Sequence, residues 1–463
     1  MKKAFMGVRL RRLREERGLT QAALARALEL SPSYLNQMEK NQRPLTVPVL
    51  LKLNSAFGLD VQLFSQAEEA RLIPDLRAAL ADQGAGASLA EVREIAANMP
   101  NVARAIIAMQ ARLRETSERI DLMSGRITGE LSTDPAPFEA VRDYFYEHRN
   151  YIPLLDEAAE AIGTGLRSDR MAEGLTDRLA GRHGIRVAST DSPHTQRSFN
   201  ASSGILSLAS HLTSGQRAFQ MATQIAFLEY GAEIDGLADE AHMETAKARD
   251  LLRIGLANYF AGALILPYGA FLEAAEAKRY DIELLARRFS VGFETTCHRL
   301  STLQRPDARG VPFFFIRVDR AGNISKRQSA TDFHFSRIGG SCPLWNVYEA
   351  FSRPGEVLTQ VAQMPDGRSY LWVARTVEHG AGGYGAPVKR FAIALGCDLA
   401  HAERLVYGRG LDLRNPNLAT PIGAGCKVCE RPVCPQRAFP MTGREVKPDP
   451  NRSGFAPYSG TSG

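Results

Sequence analysis

The spacing of apolar residues changes character once along this chain, and that change limits what it can fold into. Up to about Phe289 they recur mainly at helical intervals, with short strand-like runs at 185–189 and 205–207. Beyond 293–305 the pattern is that of strands: 311–318, then 357–364 and 370–377 on either side of Pro365-Asp366-Gly367, a strong hairpin signal. A helix is expected over 400–407. Two such regimes in 463 residues make a multidomain chain, mainly α with a C-terminal α+β part. The expected segments are an all-α 1–65, a helical connecting 66–132, a mixed 133–290 opened by the Pro-rich linker 133–137, and a β-hairpin-rich 291–463 that carries a cysteine loop and a flexible tail.

The first segment is punctuated closely enough to read helix by helix. Met6, Leu10 and Leu13 share one face of a helix ended by Gly18. Thr20 caps a second, with Leu24, Ala27 and Leu28 inward. Ser31 at the N-cap and Pro32 at the first helical position open a third, with Leu35 and Met38 inward. A fourth runs from Pro48 to Phe57 and ends at Gly58. Two helices joined by so tight a break form a helix-turn-helix, whose second helix can enter the major groove. Residues 1–65 hold eleven Lys and Arg against five acids, a net +6 that equals the charge of the whole chain. All the basic excess thus lies in one domain, as phosphate binding requires.

Leu19-Thr20-Gln21-Ala22-Ala23-Leu24-Ala25 and Ser31-Pro32-Ser33-Tyr34-Leu35-Asn36-Gln37-Met38-Glu39 resemble the phage-repressor (XRE-like) helix-turn-helix. The resemblance implies double-stranded operator DNA as partner. It places Gln21 and Ser31 near phosphates, Ser33, Asn36 and Gln37 at base edges, and Tyr34 and Arg43 against the backbone. Gln and Asn suit the paired donor and acceptor of adenine. Further on, Ser88 and Glu91 spell a capping box. Val102, Ile106, Met109, Leu113, Thr116, Ile120 and Met123 follow a heptad seam, which suits a homodimer or higher homo-oligomer and equally a helix packed within its own chain.

In the mixed segment two runs are similar to the zinc-metallopeptidase-like domain often joined to such heads. Residues 217–227 match the helix that carries His-Glu-x-x-His in active members, and 256–267 match the following helix with its glutamate ligand. Here Thr223 and Phe227 stand for the histidines, Gln224 for the general base and Leu256 for the third ligand. Zinc needs convergent donors and a base to activate water, so a degenerate zincin-like α+β domain without enzymatic activity is expected. The rival is a working peptidase that cleaves a repressor, against which the lost ligands argue. A cleft that has lost its chemistry can still sense a small molecule. Arg149, Tyr151, Arg186, Arg197 and Tyr259 are side chains of the kind that hold phosphates and stack on adenine, although each also reads as an ordinary surface or core residue.

Three of the six cysteines, Cys426, Cys429 and Cys434, fall in a loop broken by Gly423, Gly425, Pro432 and Pro435. No apolar run reaches membrane-span length, the longest (254–268) being interrupted by Asn258 and Pro267, and the start leads into an Arg-rich helix. A cytoplasmic chain without a membrane partner is expected, in which clustered cysteines hold metal rather than disulfides. A Cys-Pro end to such a run is common at iron–sulfur clusters. Three thiolates suit a [4Fe–4S] cluster with one site open or filled from elsewhere, and Cys397 is the internal candidate. Zinc on Cys397, His401 and two loop cysteines is the alternative, and plain reduced cysteines a third. Cys297 and Cys342 read as packing residues.

Taken with 150–156, 316–324, 340–345 and 394–398, these motifs make the chain resemble the short-chain fatty acyl-CoA regulator family of bacterial transcription factors over nearly its full length. The resemblance implies CoA or a short-chain acyl-CoA as effector and control of propionate/methylcitrate or acetate/glyoxylate genes. In some members it also implies a cluster on the C-terminal cysteines. A redox sensor using the cluster alone, with a vestigial middle domain, is the remaining rival.

Overall fold

The computed structural model describes residues 7–440 except 41, 58–65, 83–86, 125–136, 193–194, 331–341, 381–384, 386–387, 414, 424, 427–428 and 432–433. Met6, Gly58, most of the 84–87 break and most of the 133–137 linker thus lie outside the described residues. The chain divides into two compact units, Met1–Ile127 with His334–Gly339 and Ala438–Gly463, and Thr128–Phe333 with Gly340–Arg437.

In the first unit, helices α1 (Gly7–Glu16), α2 (Gln21–Ala27), α3 (Pro32–Glu39) and α4 (Val47–Phe57) close on Leu10, Leu24, Leu28, Leu35, Met38 and Leu53. Thr20 and Ser31 cap α2 and α3 as expected, each side-chain oxygen accepting the N–H three residues on, from Ala23 and Tyr34, at 3.2 Å. One inward position differs: Ala25 is buried and Ala27 is exposed. Helices α5 (Gln66–Asp82), α6 (Leu89–Asn98) and α7 (Pro100–Ser124) form a separate pack around Leu72, Leu76, Val92, Ala96, Ala103 and Ile107. The Ser88–Glu91 capping box that opens α6 is formed. Only one face of α7 is used in this pack, and Val102, Met109 and Leu113 stay about half exposed.

The second unit begins with α8 (Pro137–Glu147), α9 (Pro153–Gly163) and α10 (Met171–His183). A three-stranded sheet follows, β1 (Arg186–Thr190), β2 (Arg197–Asn200) and β3 (Ile205–Ala209), in order β1-β3-β2. Next come α11 (Ser214–Glu229), α12 (Gly231–Glu240), α13 (Ala246–Ile265), α14 (Tyr268–Ala277), α15 (Ile282–Arg288) and α16 (Phe293–Leu300). No single helix among the described residues is long and apolar enough to cross a membrane; the apolar α13 and α14 are the centre of the core.

Strands β4 (Phe314–Val318) and β5 (Ile324–Ser329), short helix α17 (Asn346–Glu349), and strands β6 (Leu358–Gln363), β7 (Ser369–Gly380), β8 (Val388–Asp398) and β9 (Thr420–Pro421) complete the unit. They form one sheet in the order β5-β4-β8-β7-β6-β9. The β6–β7 turn has Gly367 at φ 86°, the left-handed value its Asp-Gly signal demands. Central strand β8 was not legible as a strand because Gly396 and Cys397 break its apolar pattern. Gly396 is needed there: a Cβ would come within 2.0 Å of the Phe314 ring. The helix expected over 400–407 is instead two 3-10 turns, Leu399–Arg404 and Val406–Gly408.

The boundary expected at 290/291 does not separate two cores. A single apolar cluster runs from Tyr144 through α13 and α16 to Phe315, Leu371, Leu395 and Leu405. Its polar centre is an ion pair with no solvent access: Arg299 grips Asp156 through two bonds of 2.6 and 3.1 Å, while Tyr259 donates to the same carboxylate at 2.6 Å. Burial works against the Arg299 charge, but Asp156 more than offsets it and raises the guanidinium pKa.

Candidate functional site

The face that would meet DNA is built from the start of α2 and the exposed side of α3. Ser31 and Ser33 are exposed, and Tyr34, Asn36 and Gln37 are partly so. Gln21 is tied in from α2, its amide donating to Glu39 at 3.0 Å and to the Asn36 carbonyl oxygen at 3.4 Å. The second bond occupies the acceptor end of Asn36 and turns its donor end outward. Glu39, buried itself, is held by Arg14 at 2.7 Å, which locks α1 to α3 behind this face. Arg43 lies 5.3 Å over the Tyr34 ring. The seven residues named from the sequence therefore lie on or beside one helix end.

In the second unit α11 and α13 pack side by side, as the peptidase resemblance requires. The positions that correspond to metal ligands are filled otherwise. Thr223 turns its hydroxyl back to the Phe219 carbonyl at 2.8 Å. Arg197 donates to Gln224 at 3.2 Å and lies 5.6 Å over the Phe227 ring, and Leu256 is fully buried. The Arg197 guanidinium, its pKa lowered by burial, is thus held against the positions that correspond to the general base and one histidine.

Beside it opens a cleft of about 990 Å³, bounded by α8, α11, α13, α16, β4, β5 and the end of β7. Its apolar wall is Phe138, Phe145, Phe219 and Phe293; Gln196, Gln216, Gln220 and Asn258 offer amides. The floor is basic. Arg142, His298, Arg317, Lys326, Arg327 and His379 line it, against Glu294 and Glu378. Burial pushes the Glu294 carboxyl up, but His379, Arg317 at 2.9 Å and Lys326 hold it below the usual range. Burial also lowers His298 well below its ordinary value and Lys326 to about 8. His298, kept neutral by burial, and Lys326, whose charge burial makes costly, are groups whose charged forms a bound anion would favour.

Of the five ligand residues named from the sequence, Tyr259 alone lines this cleft, and its hydroxyl is committed to Asp156. Arg149 is exposed on a left-handed turn at φ 51°, and Arg186 is exposed at the start of β1. Tyr151 is buried, its hydroxyl accepting from Arg305 at 3.1 Å, and Arg197 donates to Gln224 outside the cleft lining. Apart from Arg142, the basic floor comes from α16, β4, β5 and β7, which lie past the boundary expected at 290/291, so no pattern within 133–290 could point to it.

The loop cysteines line a small cavity together with Arg431 and Arg437. Arg437 is buried and donates to the carbonyls of Cys426, Cys429 and Arg431 at 2.8, 3.1 and 2.6 Å. Among the described residues no three Cys, His, Asp or Glu side chains stand close enough to hold a metal ion, so the sulfurs face a common space rather than a common point. The expected fourth ligand is corrected. Cys397 is fully buried in β8 within the apolar core, where desolvation pushes its thiol up, and it does not line the cavity. The zinc set built on Cys397 and His401 falls with it. Cys342, read from sequence as a packing residue, lines the cavity instead.

A helix-turn-helix head, a peptidase-like core whose ligand positions hold other side chains, and a sheet with a cysteine loop define a DNA-binding transcriptional regulator. Comparison with known proteins agrees. Residues 10–64 match the helix-turn-helix family, 180–301 the IrrE N-terminal-like domain, and 302–458 the C-terminal domain of the short-chain fatty acyl coenzyme A regulators. The HTH-type transcriptional regulators PrpR and RamB of Mycobacterium tuberculosis are 52% and 50% identical over 99% of this chain and 96% and 99% of their own. The propionyl-CoA carboxylase regulator of Cereibacter sphaeroides is 44% identical over 98% of each chain. A solved Mycobacterium tuberculosis transcriptional regulator superposes with a TM-score of 0.69 at 53% identity, covering 70% of this chain and all of that one. The chain belongs to the short-chain fatty acyl coenzyme A regulator family.

Proposed function

We propose that this protein is a cytoplasmic, homodimeric regulator that binds operator DNA through α3 and reads CoA or a short-chain acyl-CoA in the cleft, without enzymatic activity. The name of one relative, the propionyl-CoA carboxylase regulator, directs the reading to propionate/methylcitrate genes, and the family resemblance keeps acetate/glyoxylate genes as the alternative. The observation that carries it is the cleft itself. Its volume lies at the upper end for small-molecule sites, and it sets a basic floor of Arg317, Lys326 and Arg327 against an aromatic wall. Phosphates suit the first and an adenine or acyl chain the second. On the DNA, Asn36, Gln37 and Ser33 read base edges, while Gln21, Ser31, Tyr34 and Arg43 serve the phosphates. The exposed seam of α7 joins two copies, which matches a two-half-site operator.

The cysteine loop fits a thiolate-bound iron–sulfur cluster in its donor set. A Cβ on Gly423 would press within 2.5 Å of the Cys429 sulfur, so the loop keeps that space clear. Cys426, Cys429 and Cys434 would hold the cluster, which supplies an oxidation-sensitive group. Effector and operator are linked because a ligand that prefers one arrangement of two heads shifts operator affinity by its differential affinity.

The test is calorimetric titration of CoA, acetyl-CoA and propionyl-CoA into the protein and its Arg317→Glu/Lys326→Glu variant, repeated with operator-length DNA. Binding of at least one thioester, lost in the variant and altering operator affinity by fivefold or more, is the expected result. No binding by any thioester, with operator affinity that follows only cluster loss, would leave the cleft a relic.

A further inference from the structure

The geometry points to Glu294 as a built-in competitor of the effector: in the empty cleft its carboxylate occupies cations of the floor, so that only an anion of greater charge, a phosphate, displaces it. This rests on the reading of the cleft as the effector site and adds what decides entry to it. Glu294 lies in the first turn of α16, and each of its oxygens is engaged from a different strand. Arg317 of β4 donates to Oε1 at 2.9 Å, and His379 near the end of β7 stands 3.7 Å from Oε2. Lys326 of β5 acts on the same carboxylate by charge alone. The other acid described in the lining, Glu378, is ion-paired with Arg390 at 2.6 Å, so Glu294 is the group that neutralises this part of the floor. These cations hold its carboxyl below the usual range against the effect of burial, and it is therefore ionised at neutral pH.

Of the two partners in the main bond, the arginine is the fixed one. Its Nε donates to the Ser325 hydroxyl at 2.9 Å and its guanidinium lies 4.7 Å from the centre of the Phe391 ring, which together set its plane. Glu294 hangs on a chain of rotatable bonds with a cleft of about 990 Å³ before it. An anion that reaches Arg317 has to move this carboxylate, because two negative groups on one guanidinium repel strongly away from bulk water. A free carboxylate does not achieve this. It brings the same charge and must also give up its freedom, whereas Glu294 is tethered in place. A phosphate brings more charge and more acceptor oxygens to the same cations. The floor is thus closed to short-chain acids as such and open to a phosphate-bearing carrier, which is the difference between a fatty acid and its CoA thioester. By holding the cations in the empty cleft, Glu294 also sets the effector concentration at which the cleft fills.

The full-length chain is titrated calorimetrically with propionyl-CoA as wild type, Glu294→Gln and Glu294→Ala. Both variants should bind on the order of tenfold tighter, the worth of one charge-assisted hydrogen bond that no longer has to be broken. Acetate added at constant ionic strength should weaken Glu294→Ala toward the wild-type value and leave the wild type unmoved, because it refills the vacated place. A residue that merely braced α16 against β4 would act the other way, so unchanged or weaker binding by the variants overturns the proposal. Tighter binding that acetate does not reverse overturns it too and leaves only an effect of net charge. If no form binds propionyl-CoA, the CoA reading falls and inorganic phosphate decides the rest. The competitor then stands if Glu294→Gln takes phosphate more tightly than wild type, and falls if it does not. Should both variants fail to fold, Glu294→Asp, which withdraws the charge from Arg317 by one methylene, should bind propionyl-CoA roughly threefold tighter than wild type. Equal or weaker binding by Glu294→Asp overturns the proposal.

Discussion

Lys326 gathers the physics of the cleft in one side chain. Burial and Arg317 lower its pKa, Glu294 opposes them, and the result is about 8 against an ordinary 10.5. The folded chain therefore gives up this proton more readily than the unfolded one. Between pH 8 and 10.5 the unfolded state binds more protons, so stability rises with pH across that window, and below pH 8 the cost of the buried charge is fully present. An anion bound beside the ammonium removes the cost and raises the pKa. Binding of a CoA thioester at about pH 8.5 should take up a proton, visible as a calorimetric enthalpy that depends on the ionisation enthalpy of the buffer. In Lys326→Met that dependence should vanish. No lysine in a sequence announces such a shift, because it depends on Glu294, 32 positions away, and on the closing of β5 over α16. Ser31 is the opposite case: its partner is three residues along, so its cap could be read directly.

Among the elements, α7 is unusual in presenting apolar residues on two faces. Ala103 and Ile107 are spent on α5 and α6, and Val102, Met109 and Leu113 are left about half exposed. Of the heptad seam, Ile106 packs partly into the internal core, whereas Val102, Met109 and Leu113 stay exposed. The side chains of Thr116, Ile120 and Met123 lie outside the described residues. If the free face joins two copies, Met109→Glu/Leu113→Glu should halve the mass seen by light scattering. It should also weaken binding to a two-site operator at least tenfold while leaving single-site binding unchanged. A mass that stays dimeric would place the interface elsewhere. The same scale shows why the helices of the head were legible and β8 was not. Helix ends are written in adjacent caps and prolines, whereas β8 owes its place to Phe314 and Trp372, whose rings stand 4.5 Å apart in a cluster no local pattern specifies.

On the scale of the whole molecule, the single core that runs past residue 290 explains what the sequence misassigned. The family segments do change at 301/302, so a boundary near there is a real feature of the sequence. In space, however, Arg305, beyond that boundary, donates to the Tyr151 hydroxyl at 3.1 Å, 154 positions earlier. The cleft takes its aromatic wall from one side of that boundary and most of its basic floor from the other. A site assembled in this way cannot be found by scanning either segment alone.

The guanidinium of Arg197 has a consequence for metal as well as a structural role. A zinc site that has lost its ligands can be recovered by restoring them, but a cation held against two of those positions, as Arg197 is against Gln224 and Phe227, repels a returning metal. Thr223→His, Phe227→His and Leu256→Glu together should therefore bind no zinc in equilibrium dialysis, and adding Arg197→Ala should restore uptake of about one ion per chain. Uptake without touching Arg197 would show the way back still open. If it is closed, one inward-facing arginine is enough to keep the paired helices α11 and α13 free of metal even when all three ligands are restored.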